Sequence, residues 1–409
     1  MYNSNVAVPV SNYQENSMIT IEDIIEAYMV ARRNKRRSPD QVGFELHWEA
    51  NCMQLYEQVV TRSVRPTAYT FVTDYPKPRE VFASDMATRV LHHYLDIRLR
   101  PLLEARMSPH TFNNRKGLGQ KACQNAMIAD IYKVTEGFTR DAWLIKLDLK
   151  GCFPNINQDI AYKQIEEVIL NDYHGYDKDE LIYILQVCIF SYPALHCYRK
   201  SPMGKWEKIA PEKSVFNKPF GIAAAIGFLI WQNTVTYYFN SVHEWLTSLG
   251  IEHECYVDDW GFVVLNKEAF LAYIVPEFRK KLQELGAALN EKKFYCQHYT
   301  KGMEMVGVHI KLDRVHVNTR VVKRGIMAAR THNRHINTNH IDQTISSINS
   351  YLGQCKNVNG FNQAKDIVSE LSPKWDKYIT FNKERCCIQP LRPYRQRNRI
   401  IKQYNLCNV

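Results

Sequence analysis

Two apolar strand patterns that end in acids constrain this chain more than anything else in it. Trp143-Leu144-Ile145-Lys146-Leu147-Asp148-Leu149 reads as a strand that Asp148 terminates. Glu254–Leu265 reads as a strand–turn–strand hairpin, with Asp258-Asp259 in its tight turn, inside Cys255-Tyr256-Val257-Asp258-Asp259-Trp260-Gly261. An isolated Asp-Asp pair is usually only a pair of turn residues, and a lone acid at a strand end is unremarkable. The signal is the combination: apolar flanks, an aromatic before the pair, and the residues around Asp148.

Three carboxylates at the ends of adjacent strands would crowd negative charge, which is costly unless cations offset it. Mg²⁺ favours carboxylate and phosphate oxygens. Two such ions, roughly 3.5–4 Å apart, can activate a hydroxyl and stabilise a leaving pyrophosphate. The main-chain oxygen of Leu149 could supply a further ligand.

The balance of charges agrees. A formal net charge of +11 attracts polyanions through their phosphates, although many basic proteins bind no nucleic acid. A 409-residue chain, 45% hydrophobic, suggests two or three subdomains sharing a cleft. Eleven cysteines form no C-x-x-C pair, so neither a zinc site nor a secreted disulfide framework is expected, and reduced thiols suit a cytoplasmic protein. Met1–Ser17 lacks the apolar core of a signal peptide. No apolar run reaches the roughly 20 residues that cross a bilayer, and no membrane association is expected.

Periodicity predicts helices from Ile19 to Arg37 and from Ser38 to about Arg62, with short strands at Ala68–Thr73 and Val81–Phe82. Helices are expected at Thr88–Glu104, Lys121–Thr135, Gln158–Leu170, Lys178–Phe190, Ile222–Leu246 and Phe270–Leu285. Two short strands are expected in Glu304–Asn318, then helix from about Arg320 to Ile379. The order suggests an α+β palm, an antiparallel sheet backed by helices.

At Tyr256-Val257-Asp258-Asp259 and Leu147-Asp148-Leu149-Lys150-Gly151-Cys152-Phe153 the chain resembles bacterial reverse transcriptases, those of diversity-generating retroelements and their group II intron and defence relatives. The first stretch matches the family's Tyr-x-Asp-Asp signature. The second matches its Asp followed five residues later by an aromatic. The resemblance covers roughly residues 20–355 and implies a right-hand polymerase fold. On that template, 1–18 is a flexible N-terminal tail and 19–135 the fingers with N-terminal helices. The palm takes 136–318, with a fingers-side insertion near 190–222. A helical thumb takes 319–380 and a basic C-terminal tail 381–409.

The resemblance also implies roles. Asp148, Asp258 and Asp259 would hold two Mg²⁺ ions, or Mn²⁺, with Tyr256 beside the nucleotide. Phe153 would lie under the incoming sugar, where its ring leaves a ribose 2′-hydroxyl no room and no partner; a buried unpaired hydroxyl costs about 1–3 kcal/mol. Lys77 and Arg79 would hold the triphosphate, although a solvated hairpin reads the same way. Arg115 and Lys116, in a glycine-containing basic turn, would meet template backbone. Lys293 resembles a lysine near the departing phosphates, a general acid or merely an offsetting charge, and Lys292 beside it leaves the register open. Met305-Val306-Gly307-Val308 resembles a primer-grip hairpin whose Gly307 permits close approach. Lys323, Arg324, Arg330 and Arg334 suit a thumb helix against a duplex, and Arg392, Arg395, Arg397 and Arg399 suit RNA.

Ile226, Gly227 and Gln232 belong to the nucleotide-contacting stretch of the family. Many group II intron members carry Gln where this chain has Ile226, whereas diversity-generating members carry an aliphatic residue and a Ser-Gln. Here Trp231 precedes Gln232, and Ala223-Ala224-Ala225 is a further departure. Relaxed fidelity or an unusual template preference is the expectation from Ile226, and Trp231 either marks a distinct branch or simply packs under its helix. The expected activity is RNA-directed DNA synthesis from dNTPs on an associated noncoding RNA. The setting is phage defence or a diversity-generating retroelement, with template-independent or protein-primed DNA synthesis as a further alternative. Expected partners are the RNA, the DNA product, an accessory protein or second polymerase, or a second copy of the chain. Neither an RNase H domain nor a zinc-binding endonuclease cluster is expected.

Overall fold

The computed structural model describes residues 19–33, 38–73, 77–191, 197–312, 314–356, 358 and 360–394. The expected tail at 1–18, the last residues (34–37) of the first expected helix, and Arg395, Arg397 and Arg399 lie outside these residues.

The chain opens on α1 (Ile21–Ala31), which Thr20 and Asp23 start with a reciprocal capping box. The second expected helix is two: α2 (Pro39–Glu45) and α3 (Trp48–Val60). His47, at φ −134° and ψ 41°, leaves the helical region between them, and Asn51 donates to the Phe44 carbonyl there. Strands β1 (Ala68–Thr73) and β2 (Arg79–Ser84) precede α4 (Met86–Arg106), which Asp85 caps. Next come α5 (Gln120–Val134), β3 (Trp143–Asp148), α6 (Gln158–Asp172), α7 (Lys178–Phe190), β4 (Cys197–Arg199) and α8 (Met203–Trp206).

The helix expected over 222–246 begins only at α9 (Leu229–Tyr238), and a break at Phe239 separates it from α10 (Asn240–Ser248). Ala223 and Gly227 have φ of +115° and +109°, which no right-handed helix contains. The stretch before α9 is tied to 153–158 instead: Ala223 and Ala224 N–H donate to the carbonyls of Ile156 and Phe153, both at 2.8 Å.

The hairpin is β5 (Glu252–Tyr256) and β6 (Asp259–Val264). After α11 (Lys267–Ala269), a π turn at Phe270–Ile274 leads into α12 (Val275–Glu284). Pro276 has no N–H to continue a regular ladder there, which accounts for the wider turn. Four short strands follow, β7 (Tyr295–His298), β8 (Met303–Met305), β9 (Val308–Ile310) and β10 (Val315–Val317), so Glu304–Asn318 carries parts of three strands rather than two. The C-terminal part holds α13 (Thr319–His332), α14 (Ile341–Lys356) and α15 (Phe361–Ser369). The stretch expected to be tail first forms a hairpin, β11 (Ile379–Asn382) with β12 (Cys387–Pro390).

The residues group into two compact units that interleave along the chain. One draws on segments up to Gly119, Asp148–Ile251 and Glu268–Lys292. Its core is helical, with α4 packed against α1 and α9, and it carries the sheet β2-β1-β4. Arg98 of α4 lies within it, 2.7 Å from Asp23 and paired also with Asp177. The other draws on Gln120–Leu147, Glu252–Lys267 and the chain from Lys293 on. It holds the four-stranded sheet β5-β6-β3-β7, against which α5 packs, and the sheet β10-β9-β8. Its C-terminal helices close around Ile348, Leu352, Ile367 and Trp375, with Ile379, Cys386 and Ile388 of the last hairpin in the same core. The architecture is the expected α+β mixture. Among the described residues, no helix is long and apolar enough to cross a membrane.

Candidate active site

The β5–β6 register pairs Tyr256 with Asp259, leaving Val257 and Asp258 as a two-residue loop. Such loops need positive φ, normally supplied by glycine. Val257 supplies it at +61°. A β-branched side chain there is strained by about 1–3 kcal/mol, and strain of this kind collects at functional turns. The turn is anchored from below. Trp260 and Phe262 are fully buried, and a Cβ on Gly261 would stand 2.6 Å from Met127 of α5, with Met303 and Met305 just beyond. Burial pushes the Tyr256 phenol up.

β6 lies between β5 and β3 in the sheet. Lys146, two residues before the end of β3, reaches Asp259 of β6 with Nζ 3.1 Å from Oδ2. Asp148, the last residue of β3, is buried, at 5% exposure. Its backbone carbonyl accepts from the Asn290 N–H at 2.8 Å, and its Oδ2 accepts from Asn290 Nδ2 at 3.1 Å. The chain then bridges Leu149 to Leu289, and Lys150 N–H donates to the Ala288 carbonyl at 2.7 Å. Gly151 turns at φ +60°, and Asn155 donates to the Lys150 and Gly151 carbonyls. This turn presents Phe153 half-buried at the start of a 3₁₀ turn, its carbonyl taken by Ala224.

Gly227 lies against β2. The Phe82 N–H donates to the Ile226 carbonyl at 2.7 Å, and Val81 also lines the glycine. Trp231 is 2% exposed on α9, so it packs under its helix. Gln232 is half-buried, its carbonyl accepting from Asn114 and Thr236.

The family described as reverse transcriptase (RNA-dependent DNA polymerase) matches residues 76–310, more than half of the chain. The chain is a member of that family. Its mixed helix and sheet is what the right-hand polymerase fold of reverse transcriptases calls for. It is similar, at 22% identity over 164 residues, to the COX1/OXI3 intron 1 protein of Saccharomyces cerevisiae, a match covering 38% of this chain and 19% of that protein. Among solved structures it is similar to truncated apo telomerase from Candida tropicalis, with 14% identity, a TM-score of 0.43, and coverage of 64% of this chain and 59% of that one. Telomerase from Candida albicans in complex with a fragment of telomeric RNA gives 11%, 0.44, and coverage of 82% and 59%. The chain thus spans less than two thirds of each of these relatives.

Its other candidate residues divide by exposure and partners. Lys77 and Arg79 are exposed at the β1–β2 connection. Lys116 is exposed, whereas Arg115 turns inward, its Nη1 donating to the Ser108 and Thr111 carbonyls at 2.8 and 3.1 Å. Lys293 is exposed on a 3₁₀ turn, Glu291–Lys293. Gly307 shares a hairpin turn with Val306, both at positive φ (+81° and +48°). On α13, Lys323 is exposed and Arg324 half-buried, while Arg330 holds Glu370 in a two-pronged pair at 2.7 and 3.0 Å; Arg334 follows exposed after the helix. Tyr394 stacks edge-on against Tyr378.

Sequence reasoning missed Lys146 and Asn290. Two-residue alternation along β3 could have placed Lys146 on the same strand face as Asp148, whereas nothing local marks Asn290 as a partner of a distant strand end. The donors available for a cation are carboxylate and carbonyl oxygens, a set that fits a hard divalent ion such as Mg²⁺. Among the described residues, no group of three or more His, Cys, Asp or Glu is gathered as a metal-binding cluster, and Lys146 engages Asp259.

Proposed function

We propose that this reverse transcriptase extends DNA primers on an RNA template from dNTPs, with Asp148, Asp258, Asp259 and the Leu149 carbonyl holding two Mg²⁺ ions, for which Mn²⁺ can substitute. The observation that carries this reading is the strained Val257 turn, which sets two acids at the head of β6, the neighbour of the strand that ends in Asp148. Bound there, the ions would supply Lewis acidity to a primer 3′-hydroxyl and to the departing pyrophosphate. Tyr256 and the Ile226-Gly227 segment border the nucleotide, and Phe153 excludes a 2′-hydroxyl. Lys77 and Arg79 hold the triphosphate, and Lys293 offsets or protonates the leaving group. Gly307 lets the primer backbone approach, and Lys116 and the α13 cations grip phosphates.

The test is primer extension by the purified chain on an RNA template with Mg²⁺. Asp258→Asn or Asp259→Asn is expected to lower the rate by more than about 100-fold, a loss of the size seen when one catalytic electrostatic contact is removed. Extension at the normal rate by either variant overturns the reading. Phe153→Ala should raise ribonucleotide incorporation.

For the setting we propose phage defence with a dedicated noncoding RNA, on the departure from the diversity-generating pattern at Ala223-Ala224-Ala225. Trp231 does not contribute, because it is a core residue. Sequencing copurified nucleic acid tests this: a structured RNA with its cDNA supports it, and a near-repeat of a variable-protein gene favours diversity generation.

A further inference from the structure

The Lys146–Asp259 pair is a feature of the candidate site that the reaction as outlined does not use. It is not an ordinary surface ion pair. The two side chains are 17% and 25% exposed, and shielded charges attract more strongly than solvated ones. Strand alternation puts Lys146 on the same face of β3 as Asp148, one step behind it. A third residue reports the same surroundings. Burial pushes the Cys123 thiol of α5 up, the charges of Glu254 and Asp259 push it further, and Lys146 opposes them. Lys146 is thus a cation set among acids, on a strand that is otherwise apolar apart from Asp148.

We propose that Lys146 is a positioning residue that acts through Asp259, as the resident counter-cation of the carboxylate site. Its ammonium holds the Asp259 carboxylate in place and offsets the crowded negative charge before a divalent ion arrives. A divalent ion that takes Oδ2 must displace the ammonium, so Lys146 weakens ion binding while it stabilises the ion-free enzyme. This rests on the reading of Asp148, Asp258 and Asp259 as metal-holding residues. The physical requirement is general: like charges brought together need compensation, and a tethered cation supplies it without loss to solvent.

The experiment compares the full chain with Lys146→Met, Lys146→Arg and Asp259→Asn. Free Mn²⁺ is followed by electron paramagnetic resonance, and melting temperature is measured in chelator and then in rising Mg²⁺. Lys146→Met is expected to bind Mn²⁺ about threefold or more tighter, since a nearby positive charge has been removed. It should melt lower than wild type in chelator and regain the difference as Mg²⁺ is added. Lys146→Arg should stay close to wild type in both. A Lys146→Met protein that titrates Mn²⁺ like wild type overturns the proposal, as does a melting deficit that Mg²⁺ leaves in place, the mark of a merely structural lysine. If wild type binds no more Mn²⁺ than Asp259→Asn, the metal-holding reading itself fails and takes this proposal with it, a result distinct from normal Mn²⁺ binding that ignores Lys146.

Discussion

A Cβ added to Gly227 would stand 2.3 Å from the carbonyl oxygen of Phe82. The contact is with backbone, and the same two segments are joined by the Phe82–Ile226 hydrogen bond. Neither side can give way by turning a side chain. Gly227 also sits at φ +109°, where an L side chain is strained. Gly227→Ala should therefore push the 221–228 segment off β2. The expected result is a loss of about 1–3 kcal/mol in urea unfolding, with a raised KM for dNTPs, because the segment borders the proposed nucleotide site. A variant as stable as wild type with unchanged KM would show that the segment moves freely.

Asn290 holds Asp148 twice, through its backbone N–H and its side-chain amide. Partners that orient a metal-holding carboxylate typically contribute 10–100-fold to activity. Asn290→Ala should lower single-turnover incorporation by about that range, with an unchanged circular dichroism spectrum. Asn290→Asp should do worse, since it sets a second carboxylate against the first. Full activity in Asn290→Ala would mean that Asp148 is oriented by other groups.

The Asp258-Asp259 turn was legible because each part of it is local: apolar strands, a two-residue loop and an aromatic beside the acids. The segment before α9 was not. Ala223-Ala224-Ala225 has high intrinsic helix propensity, and bonds to the Phe153 and Ile156 backbone and the Gln158 side chain, distant in sequence, hold it out of a helix. The break at His47 was hidden for a similar reason, since apolar spacing continues across it. The Lys146–Asp259 pair depends on which strands are neighbours, which periodicity does not reveal. Arg115 and Arg330 could be counted as cations, but their partners, the Ser108 carbonyl and Glu370, could not be read from spacing.

The cations of α13 should therefore differ in what they contribute to nucleic-acid binding. Arg320 and Lys323 are exposed, whereas Arg330 is engaged by Glu370. Removing one cation that neutralises a phosphate should shallow the plot of log affinity against log salt by about 0.7–0.9. Lys323→Ala and Arg320→Ala are expected to do so on a primer–template duplex, and Arg330→Ala to do so less. Glu370→Ala should release Arg330 and tighten binding. Equal effects of Arg330→Ala and Lys323→Ala would show that the Glu370 pair opens on binding.

His92 of α4 predicts a pH effect on stability. Its ring is fully buried beside Phe228, with ring centroids 5.0 Å apart, and neither nitrogen has a hydrogen-bond partner among the described residues. Burial first, then the charges of His93 and Arg89, pull its pKa down to about 3 from an ordinary 6.5. Between those values the unfolded chain takes up a proton that the folded chain refuses. Stability is then complete above 6.5 and is lost as pH falls from there toward 3, by up to about 1.4 kcal/mol per pH unit. His92→Leu removes this loss while keeping an apolar filling, and it also removes two orphaned polar atoms. It should match or exceed wild-type stability at pH 7 and exceed it by about 2 kcal/mol more at pH 5. Parallel unfolding curves for the two proteins from pH 7 to pH 5 would show that the His92 imidazole is protonated inside the fold, in which case a polar partner for its ring must exist in solution.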